Sequence, residues 1–168
     1  MNDSFFISEA ISLGLKGRFT VKPGVRVGCV IVKENRIIGR GFYEKYGGSH
    51  AEINAINDVK KKYKTNYLSK LSGSDLFVTL EPCSKQGRTP ACTEEIIKNS
   101  IKEVIIGSSD PSQDGLKVLS NAGIKTQIGV LKDQTDDHHK GFLSRVERKR
   151  PYVRCKIACS LDGGVAFL

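Results

Sequence analysis

The stretch DLFVTLEPC, residues 75–83, joins an apolar run to a proline and a cysteine. Residues 75–80 predict a buried strand, because short runs of β-branched and aromatic residues suit the interior of a sheet. A second proline and cysteine, Pro90 and Cys92, open a predicted helix over 92–99, since proline fits a first helical turn. A buried strand followed closely by a helix predicts an α/β fold.

Predicted strands and helices also follow one another along the rest of the chain. Residues 61–73 are predicted to be polar and irregular, and the last segment, 152–158, is predicted to form a strand. The other predicted elements are a helix over 5–13, a hairpin of strands over 25–32 and 36–42, a helix over 50–61, a strand over 104–106, a helix over 116–122, a strand over 124–130, and a charged helix and connector over 129–150. This alternation predicts a layered sheet, largely parallel in its second half.

The composition is that of one soluble domain. The chain has 168 residues, 39% of them hydrophobic and 27% charged, which excludes a disordered tail, a collagen and a low-complexity array. No stretch approaches the roughly 20 apolar residues of a membrane span, so no membrane partner is expected. An odd number of cysteines, five, without a secretory leader predicts a cytoplasmic location.

The charge balance favours an anionic partner. Lys and Arg number 27 against 18 Asp and Glu, a net charge of +9, which suits a nucleic acid or a phosphorylated metabolite. We interpret the two basic clusters as a solvated helix face (Lys60, Lys61, Lys62, Lys64) and a basic linker (Arg145, Arg148, Lys149, Arg150, Arg154).

Several other side chains receive structural interpretations. His138 and His139 are predicted to lie on a solvated helix face among aspartates. Cys155 and Cys159 have the spacing of one strand face and are predicted to pack in an apolar segment, and Cys29 is predicted to be a small core residue.

The chemistry concentrates on one histidine, one glutamate and two cysteines. His50 and Glu52 follow a glycine turn where a helix should begin, and residues two apart converge only at a helix entrance. Cys83 and Cys92 lie near helix starts, where thiolates are favoured. One histidine and two cysteines form the ligand pattern of a catalytic zinc site with an open fourth position.

These motifs resemble the zinc-dependent nucleoside and nucleobase deaminases, whose signature pairs His-x-Glu with a later Pro-Cys and a second Cys. The spacer between the two cysteines, residues 84–91, is longer than usual and is similar to the deaminase of the bifunctional riboflavin-biosynthesis deaminase/reductase. The resemblance extends to residues 27–32, 110–111 and 141–143. It implies a cytidine-deaminase-like three-layer sandwich, with a central mixed sheet and helices on both faces.

The resemblance also implies a reaction, the hydrolytic removal of the 2-amino group from 2,5-diamino-6-ribosylamino-pyrimidinone 5′-phosphate. In it Zn²⁺ would be held by His50, Cys83 and Cys92, and would make hydroxide available at neutral pH. Glu52 would carry protons to the ring nitrogen and the departing amine. Predicted substrate contacts are Arg88, Lys85 and Asp110, with Arg88 pairing with the phosphate.

Four places differ from the residues usual in that family. Gly24 stands where an asparagine is usual, and Tyr43 where a histidine is usual. Lys85-Gln86 replaces a histidine-containing pair, and Ser112 replaces an asparagine. Because these places are expected to contact the ring or the ribose, the substrate contacts are expected to differ while deamination is retained.

Residues 150–154 and 160–163 look like the first strand of that family's reductase domain. The resemblance therefore implies a zinc-dependent deaminase domain over 1–145, then a linker and the first strand of an incomplete reductase-like domain over 146–168. Ala158 would approach NADPH only in a full-length bifunctional form, so this chain alone is expected to lack reductase activity. The final segment is expected to dock on the deaminase, to pair in a homo-oligomer, or to bind a separate reductase partner.

Two other functions are compatible with parts of the sequence. A polynucleotide deaminase acting on tRNA or single-stranded DNA shares the zinc chemistry and suits the net charge. The long spacer between the cysteines and the reductase-like end disfavour a nucleic-acid substrate. A non-catalytic deaminase-fold module is disfavoured because Glu52 accompanies the complete ligand set.

Overall fold

The computed structural model describes residues 2–87 and 90–165. Among them no helix has both the length and the apolar content needed to cross a bilayer. In chain order the elements are α1 (Asp3–Leu15), β1 (Gly28–Lys33), β2 (Arg36–Phe42), α2 (Ala51–Tyr63), a 3₁₀ turn (Lys64–Asn66), α3 (Tyr67–Leu71), β3 (Asp75–Leu80), α4 (Cys92–Lys98), β4 (Glu103–Ser108), α5 (Gly115–Asn121), β5 (Lys125–Ile128) and α6 (Lys132–Arg148).

The strands form one mixed sheet in the order β2-β1-β3-β4-β5. β1 is antiparallel to both β2 and β3, whereas β3, β4 and β5 are parallel. The predicted hairpin and the parallel second half are therefore confirmed. The carboxyl ends of β3 and β4 lie side by side, so the loops that follow them meet at one edge of the sheet.

Alternate side chains of the strands enter two separate cores, as the two-residue repeat of a strand requires. On one face Ile31 and Val78 join a cluster with apolar residues of α2, α3, α4 and α5. On the other face Val30 and Phe77 pack against α1. Thr135 of α6 lies on this second face too, where its hydroxyl accepts a 2.8 Å hydrogen bond from Ser108. The predicted three-layer sandwich is confirmed.

The start of α2 lies unusually close to β2. A Cβ added to Gly41 would lie 2.2 Å from the carbonyl oxygen of Ala51 and 2.3 Å from the nitrogen of Ala55, so no side chain fits there. Asn54 also donates a 2.8 Å hydrogen bond to the carbonyl of Phe42 at the end of β2. The first turn of α2 is thereby fixed against the sheet.

Two predicted segments are wrong. Residues 61–73 are not irregular, because α2 continues to Tyr63 and α3 follows, with Leu71 fully buried in the core. Residues 152–158 form no strand, since a lone extended segment has no partner for its backbone groups. Cys155 and Cys159 are exposed there, so their predicted packing is also wrong, whereas Cys29 is a core residue as predicted.

The two adjacent histidines of α6 are buried, which contradicts the predicted solvated face. His138 is 7% and His139 1% exposed. The Nε2–H of His138 donates to the carbonyl of Arg26 at 3.0 Å, and that of His139 donates to the carbonyl of Thr79 at 3.1 Å. Of the neighbouring aspartates, Asp133 and Asp137 are exposed, whereas Asp136 accepts a 2.6 Å hydrogen bond from the hydroxyl of Ser108.

Burial of His139 predicts a loss of stability in mild acid. The ordinary pKa of 6.5 is lowered to about 3 in the folded chain, mainly because burial removes the ring from water. Between these values the unfolded chain binds one more proton, so the free energy of unfolding falls as the pH decreases. The loss is about 2 kcal/mol from pH 6.5 to about 5.

Urea unfolding of the wild type and of His139→Asn at both pH values measures this contribution. The variant should lack this part of the pH dependence, because asparagine does not titrate. Equal pH dependence in the two proteins would contradict the assignment.

Candidate metal centre

Three elements of the fold bring the predicted ligands together. His50 is the residue before α2, Cys83 follows β3, and Cys92 is the first residue of α4. The Nδ1 of His50 lies 3.5 Å from the sulfur of Cys83 and 3.3 Å from that of Cys92. The three candidate ligand atoms all lie within 4.8 Å of one another.

This donor set fits a zinc ion. Sulfur and imidazole nitrogen are the ligands that zinc prefers, and ligands at tetrahedral angles around zinc lie roughly 3.5 to 3.8 Å apart. The two measured sulfur-to-nitrogen distances, 3.5 and 3.3 Å, are close to that range. Three protein ligands leave a fourth position open, as in catalytic rather than structural zinc sites.

The pKa values of the two thiols are shifted in opposite directions. The pKa of Cys83 is lowered to about 4, first because the thiol of Cys92 donates to its sulfur, and further because the His50 ring and the backbone N–H of Cys92 also donate. The pKa of Cys92 is raised by its hydrogen bond to Cys83 and by burial. A divalent cation would stabilise the second thiolate, since metal binding displaces thiol protons.

Glu52 is the buried carboxylate of α2, and it lies beside this cluster. Its side chain belongs to the first turn of α2 and is 3% exposed. Burial raises the pKa of Glu52 to about 7, although the neighbouring His50 opposes the shift. A carboxyl with a pKa near neutrality can both accept and release a proton at the working pH, which is what general acid–base catalysis requires.

Two cavities adjoin the cluster. The inner cavity has a volume of about 210 Å³, and its described lining includes Glu52, His50 and Cys83 together with Val27, Leu80 and Asp110. The outer cavity, of about 270 Å³, adds Lys85 and Gln86. Tyr43, His50, Cys83 and Gln113 line both. A ring entering the inner cavity would therefore reach Glu52 together with His50 and Cys83.

The predicted substrate contacts are distributed unevenly. Asp110 lines the inner cavity, where its carboxylate accepts hydrogen bonds from the backbone and hydroxyl of Ser112. Lys85 lines the outer cavity and donates a 2.9 Å bond to the carbonyl of Ser112. Arg88 lies outside the described residues. Ala158 lies in the exposed final segment, apart from the described lining of both cavities.

Tyr43 and Gly24 occupy one region of the inner wall. The Tyr43 ring stands edge-on to the His50 ring, 5.5 Å between centroids, and its hydroxyl accepts a 2.8 Å bond from the backbone of Gly47. A Cβ at Gly24 would lie 2.7 Å from the carbonyl oxygen of Val21 and 3.0 Å from the Tyr43 ring. The backbone and the ring therefore both take space that a larger residue at position 24 would need.

Sequence reasoning missed two residues that shape the site. Glu81 is 7% exposed, and its carboxylate accepts the backbone N–H groups of Asp110 and Leu116, which joins the loops after β3 and β4. The amide oxygen of Gln113 accepts from the backbone of Ser84 and ties the cysteine spacer to the same loop. A charged residue between a buried strand and Pro82 was a signal for Glu81, whereas nothing local marked Gln113.

Comparison with known proteins agrees with this site. The pattern described as the cytidine and deoxycytidylate deaminase zinc-binding region matches residues 1–108. A diaminohydroxyphosphoribosylamino-pyrimidine deaminase of Buchnera aphidicola is 41% identical over 155 residues, which cover 90% of this chain and 100% of that protein.

Longer relatives match as well. The riboflavin biosynthesis protein RibD of Escherichia coli is 37% identical over 171 residues, which cover 99% of this chain and 44% of the relative. The crystal structure of a deaminase/reductase from Thermotoga maritima superposes with a TM-score of 0.89 at 41% identity, and the match covers 96% of this chain and 46% of the other. This chain therefore spans less than half the length of these two relatives.

The ligand geometry, the buried glutamate and these similarities agree with one another. The chain belongs to the cytidine and deoxycytidylate deaminase family, and within it to the deaminases of riboflavin biosynthesis.

Proposed function

We propose that the chain is a zinc-dependent hydrolase that deaminates 2,5-diamino-6-ribosylamino-pyrimidinone 5′-phosphate in riboflavin biosynthesis. The observation that carries the proposal is the placement of buried Glu52 beside three convergent ligand atoms, with Glu52, His50 and Cys83 all lining one cavity. The Buchnera relative, matched over its whole length, is named for this activity.

In this proposal His50, Cys83 and Cys92 hold the zinc. When bound, zinc supplies a Lewis acid that makes water nucleophilic at neutral pH. His50 presents its Nδ1 because the start of α2 is fixed against β2, and the backbone N–H of Cys92 orients the Cys83 sulfur at 3.2 Å. Reduced thiols are needed for these contacts, which supports the predicted cytoplasmic location.

Glu52 moves the protons. Its carboxylate accepts a proton from the attacking water and delivers it to the ring nitrogen, and the second proton of that water leaves with the amine as ammonia. The new C–O bond replaces the C–N bond, so one water is consumed for each ammonia released. The pKa of about 7 places Glu52 near the optimum for both transfers.

Substrate contacts remain proposals for Asp110, Lys85 and Arg88. Asp110 lines the inner cavity, where it could accept from ring N–H groups, while Lys85 and Arg88 would bind the phosphate from the cysteine spacer. Lys85 is held by Ser112 and would exchange that bond for one to the ligand.

An ammonia-release assay tests the function. The zinc-loaded chain is incubated with the ribosylamino-pyrimidine phosphate, with cytidine and with guanine in parallel. We expect release from the pyrimidine phosphate at least about 100-fold faster than from the other two, because binding energy from the remote phosphate supports turnover. Preferential turnover of cytidine or guanine would overturn the proposed substrate.

We also propose that residues 1–145 form the deaminase domain and that residues 146–168 link it to a reductase-like unit. α6 extends to Arg148, three residues beyond the proposed boundary, and the hydroxyl of Ser144 donates to the carbonyl of Arg150. The described residues beyond Arg150 are exposed. A homo-oligomer or a separate reductase as partner remains a prediction.

Deletion of residues 151–168 should leave zinc content and ammonia release within about twofold of the full chain, because exposed residues contribute little to the cores. Metal analysis and the ammonia assay measure both quantities. Loss of zinc-loaded protein on truncation would place the final segment within the deaminase fold.

A further inference from the structure

A third cavity lies beyond the wall of the inner cavity, and none of the described residues placed in the reaction above lines it. It has a volume of about 340 Å³, larger than the inner cavity, and the two share Gly24 and Val25 as lining residues. Four cationic side chains, Arg18, Lys22, Arg26 and Arg145, line it, and we call it the basic cavity.

The cations of the basic cavity lack an anionic counterpart. Its described lining contains no carboxylate, and within residues 2–87 and 90–165 none of the four cations forms an ion pair. The pKa of Arg26 is lowered by burial and by the neighbouring Arg18 and Arg154. Asp137 attracts Arg26 but lies 2.6 Å from Lys140, with which it is paired. A bound anion would relieve this repulsion.

Two of the guanidinium groups are held in place. Arg26 donates a 2.6 Å hydrogen bond to the carbonyl of His138, and Arg145 donates one of 3.0 Å to the carbonyl of Pro23. Since a guanidinium carries five N–H donors, each retains donors for a ligand. Such fixed groups lose little freedom on binding a phosphate.

A buried acceptor lies in the same wall. His139 lines the basic cavity, and its Nδ1 is buried without a hydrogen-bond partner among the described residues. Because the Nε2–H donates to the carbonyl of Thr79, Nδ1 carries a lone pair and needs a donor. A ligand hydroxyl is such a donor, and unsatisfied buried polar atoms are rare enough to need an explanation.

We propose that the basic cavity binds a sugar phosphate, with its phosphate on the arginines and a hydroxyl donating to Nδ1 of His139. The volume is within the usual range of small-ligand pockets, roughly 300 to 1,000 Å³. The ligand is either a separate phosphorylated metabolite or the ribose phosphate of the deaminase substrate reaching past Gly24, in which case the basic cavity replaces Lys85 and Arg88 as the phosphate site. Only the second source rests on the proposed function.

Calorimetric titration of the zinc-loaded full chain with ribose 5-phosphate tests the site. The double variant Arg18→Gln/Arg145→Gln should weaken binding about tenfold or more, because it removes two charge-assisted contacts. The control variant Lys61→Gln/Lys117→Gln loses the same charge from exposed positions of α2 and α5, on the opposite face of the sheet, and should bind as the wild type does. Lys22→Gln is a second, milder variant should the double variant fold poorly.

Two further measurements test the hydroxyl contact to His139 and identify the source of the sugar phosphate. His139→Asn should weaken the binding of ribose 5-phosphate more than the binding of inorganic phosphate, which has no sugar hydroxyl. If the phosphate in the basic cavity belongs to the deaminase substrate, Arg18→Gln/Arg145→Gln should raise KM for the phosphorylated substrate and leave KM for unphosphorylated substrates unchanged. If it belongs to a separate metabolite, the double variant should have the wild-type KM, while the wild-type chain still binds ribose 5-phosphate.

The proposal is overturned if ribose 5-phosphate does not bind, or if Arg88→Gln abolishes binding and Arg18→Gln/Arg145→Gln leaves it intact. The binding assay does not depend on turnover, so failure of the proposed deamination would leave its result interpretable.

Discussion

Replacing Glu52 with glutamine is expected to lower turnover by a factor of about 10² to 10⁴ while the zinc content stays at the wild-type level. Glutamine keeps the size of the side chain in the inner cavity but cannot accept the proton of the attacking water. Zinc should be retained because Glu52 is not one of the three candidate ligands. Steady-state ammonia release and elemental analysis of the same preparation measure the two quantities together.

The matched control is Glu94→Gln, which neutralises an exposed carboxylate in the first turn of α4, close to the same metal ligands. It should turn over the substrate at the wild-type rate. Near-normal activity in Glu52→Gln would show that Glu52 is not the proton carrier. Loss of zinc in that variant would show instead that Glu52 is a metal ligand.

Replacing Cys83 or Cys92 with serine is expected to reduce zinc from about one ion per chain to a small fraction of that. A serine hydroxyl is a poor ligand for zinc, and the remaining histidine and cysteine hold the ion weakly. Ammonia release should fall with the metal content. Thermal unfolding should occur at lower temperature, because the ion no longer joins α2, the end of β3 and α4.

Cys155→Ser is the control for the cysteine variants, since that thiol is exposed in the final segment. It should keep its zinc and its melting temperature. Full zinc occupancy in Cys83→Ser or Cys92→Ser, measured by elemental analysis after dialysis, would contradict the proposed ligand set.

Local patterns were enough to predict the centre of this fold. Residues 75–80 form the predicted strand without any change of boundary, because a short run rich in β-branched and aromatic residues suits the interior of a sheet. The candidate ligands also followed from local features, since a histidine before a helix and cysteines at a strand end and a helix start each occupy a recognisable position. The three ligands come together because β3 and β4 end at one edge of the sheet and the start of α2 packs against β2 beside them.

Features set by distant contacts were not predictable in this way. The aspartates around His138 and His139 suggested solvent, and only the packing of α6 on the sheet shows that the rings face inward. Glu81 bonds to residues about thirty positions away, in a loop whose path the sequence does not specify. The final segment has the composition of a strand but lacks a neighbouring strand among the described residues.

The absence of a side chain at Gly41 links the sheet to metal affinity. Two of the functional groups, His50 and Glu52, lie at the start of α2, whereas Cys83 follows β3 and Cys92 is the first residue of α4. A methyl group at position 41 would meet the Ala51 carbonyl oxygen at 2.2 Å, well inside van der Waals contact, and would push the helix entrance outward. The imidazole would then withdraw from the sulfurs without any ligand being changed. Adding one carbon at position 41 should thus lower the affinity for zinc, although this residue of β2 is not a ligand.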